Sequence, residues 1–193
     1  MPLETAPPRV SWMADIAARL EARELEAIEP PEGRRRAAVL VPLFVRDGAL
    51  RVLLTRRTDT VEHHRGQISF PGGVEEPDDE TPWQTAVRET EEELGIAPGD
   101  VRLLGALTPL VTVTDFFVEP FVGAIPFPHV LRPAAAEIAE VIDVPIAALL
   151  DPKVLERRVL PGREEPTLFY HHGSHVIWGA TARMLKELLD ALR

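Results

Sequence analysis

Within six positions, Arg88-Glu89-Thr90-Glu91-Glu92-Glu93 gathers four carboxylates and one guanidinium. Carboxylates at such spacing can share a divalent cation. On a helix, 100° per residue brings Glu89, Glu92 and Glu93 into one arc of about 100°. Val87, Thr90 and Leu94 then form an apolar stripe on the far side, and Glu91 falls apart from the trio as a solvated charge. Most charge runs are solvated surface. This one lies at a helix C-terminus, where the dipole disfavours each exposed carboxylate by roughly 0.3–1 kcal/mol. Glu89 and Glu93, four apart, add roughly 0.2–0.5 kcal/mol of repulsion. A positive partner is therefore expected, and Mg²⁺ or Mn²⁺ is the leading candidate. Mg²⁺ is held by few carboxylates, keeps waters and often bridges substrate phosphates. Glu89 and Glu93 are the first choice as ligands and Glu92 the next.

The helix that must carry these groups announces both of its ends. Thr81 is a cap, Pro82 suits the first helical position, and Gln84 can close a capping box. Gly95 supplies a left-handed stop. Upstream, Phe70-Pro71-Gly72-Gly73 turns the chain before the helix. Paired glycines allow close backbone approach, and a glycine carbonyl can ligate a metal.

Glycine turn, acidic loop, capped helix and Arg-Glu-x-x-Glu-Glu-x-Gly, over residues 72–96, together resemble the Nudix box. One departure is an extra residue between Gly73 and Glu80, placed in the loop and not in the helix. A second stretch resembles the signature of the coenzyme A pyrophosphatase branch of that family. It runs from Leu53-Leu54-Thr55-Arg56-Arg57 through Arg65 and Gly66 to Phe70-Pro71-Gly72-Gly73. All separations of that signature are kept. Thr58 stands where the branch has serine or alanine, and Glu62 where it has arginine, a charge reversal. Ile177 to Arg183 looks like the branch's closing strand-to-helix segment, so the resemblance spans roughly residues 38–190.

The resemblance implies an α/β fold, an α/β/α sandwich around a mixed β-sheet, formed as one domain over residues 1–193. It implies metal-dependent hydrolysis of a pyrophosphate bond in coenzyme A or a derivative, giving 3′,5′-adenosine bisphosphate and 4′-phosphopantetheine. Gly72 would add a carbonyl ligand, and Glu89 or Glu92 would orient or deprotonate water. Arg88 would orient the carboxylates, while Arg56, Arg57 and Arg65 would contact phosphate, since arginine matches phosphate bidentately. Other Nudix substrates, such as ADP-ribose, a dinucleotide polyphosphate or a nucleoside triphosphate, compete with coenzyme A. A non-catalytic nucleotide-binding protein of the same fold is the alternative from another class. Glu137 and Glu140 offer an extra ligand or base, a role taken in some Nudix enzymes, but read first as exposed strand-end charges. The histidines, including His63, His64, His171, His172 and His175, have no metal-ligand spacing, and hard Mg²⁺ prefers oxygen.

Composition narrows the classes further. The net charge of −10 over 193 residues argues against a nucleic-acid binder, which needs a basic surface. A small phosphorylated substrate remains compatible. No apolar run approaches a membrane span, and the amino terminus lacks signal-peptide features, so cytoplasm is the default expectation. With no cysteine there is neither disulfide nor thiolate chemistry. Nothing in the sequence specifies an oligomeric state.

Periodicity supplies coarse elements. An amphipathic helix is expected over 11–28, with Ser11 as cap and Trp12, Ile16, Leu20 and Leu25 packing. Strands at 39–45 and 50–55 flank a hairpin signal at Arg46-Asp47-Gly48-Ala49. Further strands are expected near 101–108, 116–125 and 137–144, edge strands at 154–160, 167–171 and 175–178, and a closing helix at 180–192.

Overall fold

A computed structural model describes residues 11–58, 66–162 and 164–193. Arg65, with Glu62, His63 and His64, lies outside the described residues, so its expected phosphate contact has no structural counterpart here.

The fold is built on strand β1 (Arg35–Arg46), which is buried along most of its length and flanked by partners on both sides. It turns through Asp47 and Gly48, both at positive φ (52° and 74°), into β2 (Ala49–Arg57). Two residues at positive φ are what a tight hairpin between right-twisted strands requires. On its other edge β1 pairs in parallel with β7 (Phe116–Ala124), while every other pairing of the sheet among the described residues is antiparallel. The central order is β3 (Ile68–Ser69), β2, β1, β7 and β5 (Arg102–Ala106). Also in the sheet are β4 (Gly72–Val74) on β1, β6 (Leu110–Val111) on β7, and β8 (Ile138–Pro145) on β2.

Alternation along β1 splits the core between the two faces of this mixed sheet. Ala38, Leu40 and Phe44 pack with Ala86, Val87 and Leu94 of helix α2 (Pro82–Leu94) on one face. Val41 and Leu43 pack on the other with Ile16 and Leu20 of α1 (Ser11–Glu21) and with Leu185, Leu188 and Leu189 of α4 (Gly179–Ala191). A short helix, α3 (Ile146–Leu149), follows β8. The result is the expected α/β class, a mixed sheet between helices.

Several features differ from expectation. Helix α1 stops at Glu21, not 28: its apolar stripe ends with Leu20, and Leu25 is 40% exposed, so no buried face supports another turn. The glycine turn is itself strand β4, with Gly72 opposite Val39 and Gly73 opposite Ala38. The three late strands form a sheet of their own, ordered β11 (His175–Trp178), β10 (Thr167–His172), β9 (Leu155–Arg158).

Candidate active site

Helix α2 has the ends its sequence requires. The Thr81 side chain accepts from the Gln84 N–H, Gln84 returns the bond to the Thr81 N–H, and Gly95 closes the helix at φ 72°. Val87, Thr90 and Leu94 are buried, and the Thr90 hydroxyl donates to the Ala86 carbonyl at 2.7 Å. That packing fixes the rotation of the helix about its axis, and with it the direction of the glutamates.

Glu93 is buried, at 4% exposure, despite its charge. Glu89 sits over β4 so closely that a Cβ added to Gly73 would lie 2.4 Å from its carboxyl carbon. Gly72, at φ 150°, would drive a Cβ to 2.3 Å from the Ala38 carbonyl oxygen. The first glycine thus lets β4 lie against β1, and the second leaves room for the Glu89 carboxylate. Glu92 is 60% exposed at its side chain and points to Arg88 at 3.2 Å. It does not line the cavity that Glu89 and Glu93 face.

Arg88 is anchored from the loop before the helix. Its guanidinium donates to both carboxylate oxygens of Asp79, at 3.1 and 2.9 Å, and to the Val74 carbonyl at 3.0 Å. One nitrogen also reaches Glu89 at 3.1 Å and Glu92 at 3.2 Å. Asp79 in turn accepts from the Glu76 N–H and the Thr85 hydroxyl. Its carboxyl is held down at about 2, chiefly by the Arg88 hydrogen bonds, and Arg88 is pushed upward by the same contact. Sequence reasoning did not single out Asp79. Five acidic residues occupy positions 75–80, and only the folded loop selects this one.

The arginines of β2 separate by strand alternation, sharpened by a bulge between Arg56 and Arg57. Arg57 turns to the site, 3.6 Å from Glu93 and 3.6 Å from Glu137. Arg56 pairs with Glu140 at 2.9 Å and does not line the cavity. Glu140 also contacts His175 at 3.1 Å. The structure therefore brings Glu137, but not Glu140, to the cavity wall, where the Thr58 N–H holds its carbonyl at 2.8 Å.

Burial pushes the Glu93 carboxyl up to about 8; Arg57 and the Gly72 N–H oppose this, while Glu89 and Glu137 add to it. Burial also raises Glu89, against the pull of Arg88 and with the push of Glu92 and Glu137. Among the described residues no three acidic or histidine groups form a ready-made metal cage. The donor set nevertheless fits a hard cation: Glu93 Oε2 is buried with no hydrogen-bond partner, next to Glu89 on the same wall. A buried charge without a partner is costly, and a divalent ion bound by Glu93, Glu89 and the Gly72 carbonyl would supply what is missing. The cavity has a volume of about 1920 Å³, more than a drug-sized ligand needs, so it can take a long substrate.

A mixed sheet between helices with this glycine strand and acidic helix defines a Nudix domain. The NUDIX domain family matches residues 34–161, and the chain belongs to the Nudix family. It is similar to a Photorhabdus laumondii protein named uncharacterized Nudix hydrolase NudL. The two are 36% identical over 179 residues, covering 88% of this chain and 94% of that one. A Shigella flexneri protein of the same name is 32% identical over 185 residues, covering 90% of this chain and 91% of its own. Among solved structures, a MutT/nudix family protein from Enterococcus faecalis aligns with a TM-score of 0.53 at 18% identity, over 92% of this chain and 67% of that one. The Nudix hydrolase RenU from M. smegmatis aligns with a TM-score of 0.51 at 24% identity, over 61% and 74%. These two likenesses show the fold. The activity class is that of a Nudix pyrophosphohydrolase, and Nudix hydrolases generally use divalent ions such as Mg²⁺ or Mn²⁺. No helix among the described residues is long and apolar enough to cross a membrane.

Proposed function

We propose that this protein, acting as one Nudix domain over residues 1–193, hydrolyses the pyrophosphate bond of coenzyme A or a derivative. Water adds across the P–O–P linkage, giving 3′,5′-adenosine bisphosphate and 4′-phosphopantetheine. The observation that carries the hydrolytic part is the buried, unpartnered Glu93 oxygen beside Glu89 on a cavity wall. The substrate part rests on the segment from Leu53 to Gly73 with its Phe-Pro-Gly-Gly ending.

Glu89 and Glu93 would hold Mg²⁺ or Mn²⁺ together with the Gly72 carbonyl. Glu92, expected as a further ligand, points to Arg88 and lies off the cavity wall, so it would have to swing to reach the ion. When bound, the ion polarises a phosphoryl oxygen and offsets charge developing in an in-line displacement. Glu89 or Glu92 accepts the proton of the attacking water. Arg88 positions these two carboxylates: its guanidinium is anchored on Asp79 and the Val74 carbonyl and donates to Glu89 and Glu92. Of the expected phosphate-binding arginines among the described residues, Arg57 lines the cavity and Arg56 does not; Arg65 is assigned to phosphate on the resemblance alone.

A second reading, hydrolysis of another nucleoside diphosphate derivative such as ADP-ribose or a dinucleotide polyphosphate, draws on Glu62, which places a negative charge where the branch has arginine. A hydrolysis panel with identification of products tests both. Coenzyme A cleaved to the two named products supports the first reading. Turnover of ADP-ribose or a dinucleotide polyphosphate with coenzyme A untouched replaces it with the second.

A further inference from the structure

The wall of the same cavity formed by β10 and α4 carries polar groups that pyrophosphate cleavage does not use. Helix α4 begins at Gly179, whose φ of 67° turns the chain out of β11. Trp178, at the cap position, provides no side-chain hydrogen bond. The first N–H groups of an α-helix have no partner within it, and they carry the positive end of its dipole. Here Gly179, Ala180 and Thr181 all line the cavity. Among the described residues, no side chain or loop carbonyl accepts from their N–H groups.

Thr167 is an independent observation on the same wall. It is 7% exposed, it lines the cavity, and its Oγ1 is buried with no hydrogen-bond partner. Phe169 lies opposite Trp178 in the β10–β11 ladder. Thr167, two residues earlier on the same face of β10, therefore sits where β11 gives way to the first turn of α4. A buried hydroxyl left without a partner is disfavoured, so this position calls for a ligand atom. Arg183, one turn further along α4, lines the cavity, is exposed, and makes no ion pair among the described residues. Glu164 and Glu165 also line the cavity and oppose an anion. The Arg183 charge and the helix dipole must outweigh them, which makes Arg183 the sensitive point.

We propose that the first turn of α4, with Thr167 and Arg183, is a subsite for a phosphomonoester on the substrate, separate from the diphosphate cleaved beside α2. A phosphomonoester presents three acceptor oxygens, which suits adjacent N–H groups, a hydroxyl and a guanidinium. The identity of that group rests on the substrate reading above: in coenzyme A it is the ribose 3′-phosphate.

Two measurements on the full chain test this. First, ¹⁵N-labelled protein in chelator is titrated with inorganic phosphate, following the amides of Gly179, Ala180 and Thr181. These should shift saturably, and Arg183→Gln or Thr167→Val should weaken the apparent affinity about tenfold. Amides that stay in place in the unaltered protein overturn the subsite. Second, kcat/KM is compared for coenzyme A and 3′-dephospho-coenzyme A. The phosphorylated substrate should be favoured about tenfold, through KM, and Arg183→Gln should bring the ratio near one by slowing only that substrate. A preference that survives in both variants overturns the subsite even where coenzyme A is cleaved. Saturable amide shifts without coenzyme A turnover retire the substrate reading and leave the anion subsite standing.

Discussion

The Arg57 guanidinium stands 3.6 Å from the buried Glu93 carboxylate, while Glu93 Oε2 has no hydrogen bond at all. A charge-assisted N–H···O bond is normally about 2.7–2.9 Å. Arg57 therefore offsets part of the Glu93 charge without occupying its oxygens. Its other contact, Glu137, is equally loose at 3.6 Å. This arrangement suits a residue that will share its charge with an incoming phosphate.

Arg57→Gln should consequently separate two affinities. Removing a positive charge beside the acids should tighten Mn²⁺ binding in the absence of substrate. The same change should raise KM roughly tenfold, through lost phosphate contact. Calorimetry and steady-state kinetics read the two effects. Weakened Mn²⁺ binding would show that Arg57 supports the carboxylates structurally instead.

Gly72 and Gly73 should respond differently to alanine. A Cβ at Gly72 meets the Ala38 carbonyl and the Val39 backbone at a positive φ, so Gly72→Ala should destabilise the fold by about 1–3 kcal/mol. The atoms nearest a Cβ at Gly73 all belong to the end of the Glu89 side chain, which can swing away. Gly73→Ala should therefore stay within about 1 kcal/mol of the parent protein in urea denaturation and yet lose metal-dependent turnover at least tenfold. Undiminished turnover in Gly73→Ala would detach Glu89 from the chemistry.

Asp79→Asn should cost roughly 2 kcal/mol at neutral pH, because the folded carboxyl titrates at about 2 instead of its ordinary 3.8. The sign follows from a depressed value: the contribution is complete above about pH 4 and fades as pH falls through about 2. Acid-induced unfolding, compared between Asp79→Asn and the parent, measures it. Turnover should fall as well, since Arg88 loses the anchor that aims it at Glu89 and Glu92. Equal acid sensitivity of the two proteins would contradict the anchor role.

Glu93 has the opposite sign. Burial raises its folded value to about 8 from an ordinary 4.5. Ionising it in the folded state is unfavourable, so metal-free protein should lose stability as pH rises from about 5 to about 8, by an amount on the order of a few kcal/mol. The groups facing it are Arg57, Glu89, Glu137 and the Gly72 N–H. Glu93→Gln should flatten that dependence in chelator, as seen in thermal unfolding. A slope unchanged by the substitution would mean that other groups govern it.

Helix α2 was legible in the sequence at both ends because its caps are local: Thr81, Pro82, Gln84 and Gly95 settle them within the helix's own neighbourhood. The end of α1 was not, because Ala22 to Ile28 can be helical by propensity and only the missing packing surface stops them. The choice between Arg56 and Arg57 depends on a bulge against β8, more than 80 residues away in the chain, which no local pattern encodes. Glu137 reached the cavity by the same long-range pairing, through the Thr58 N–H. Local chemistry could be read directly; which side chains meet across the sheet could not.

Titration calorimetry with Mn²⁺, with and without a diphosphate compound, tests the account at its centre. The unaltered protein should bind Mn²⁺, bind it more tightly with the diphosphate present, and lose both effects in Glu93→Gln while staying folded. Undetectable Mn²⁺ binding in the unaltered protein, or binding untouched by Glu93→Gln, would contradict the assignment of the acidic helix as the metal site.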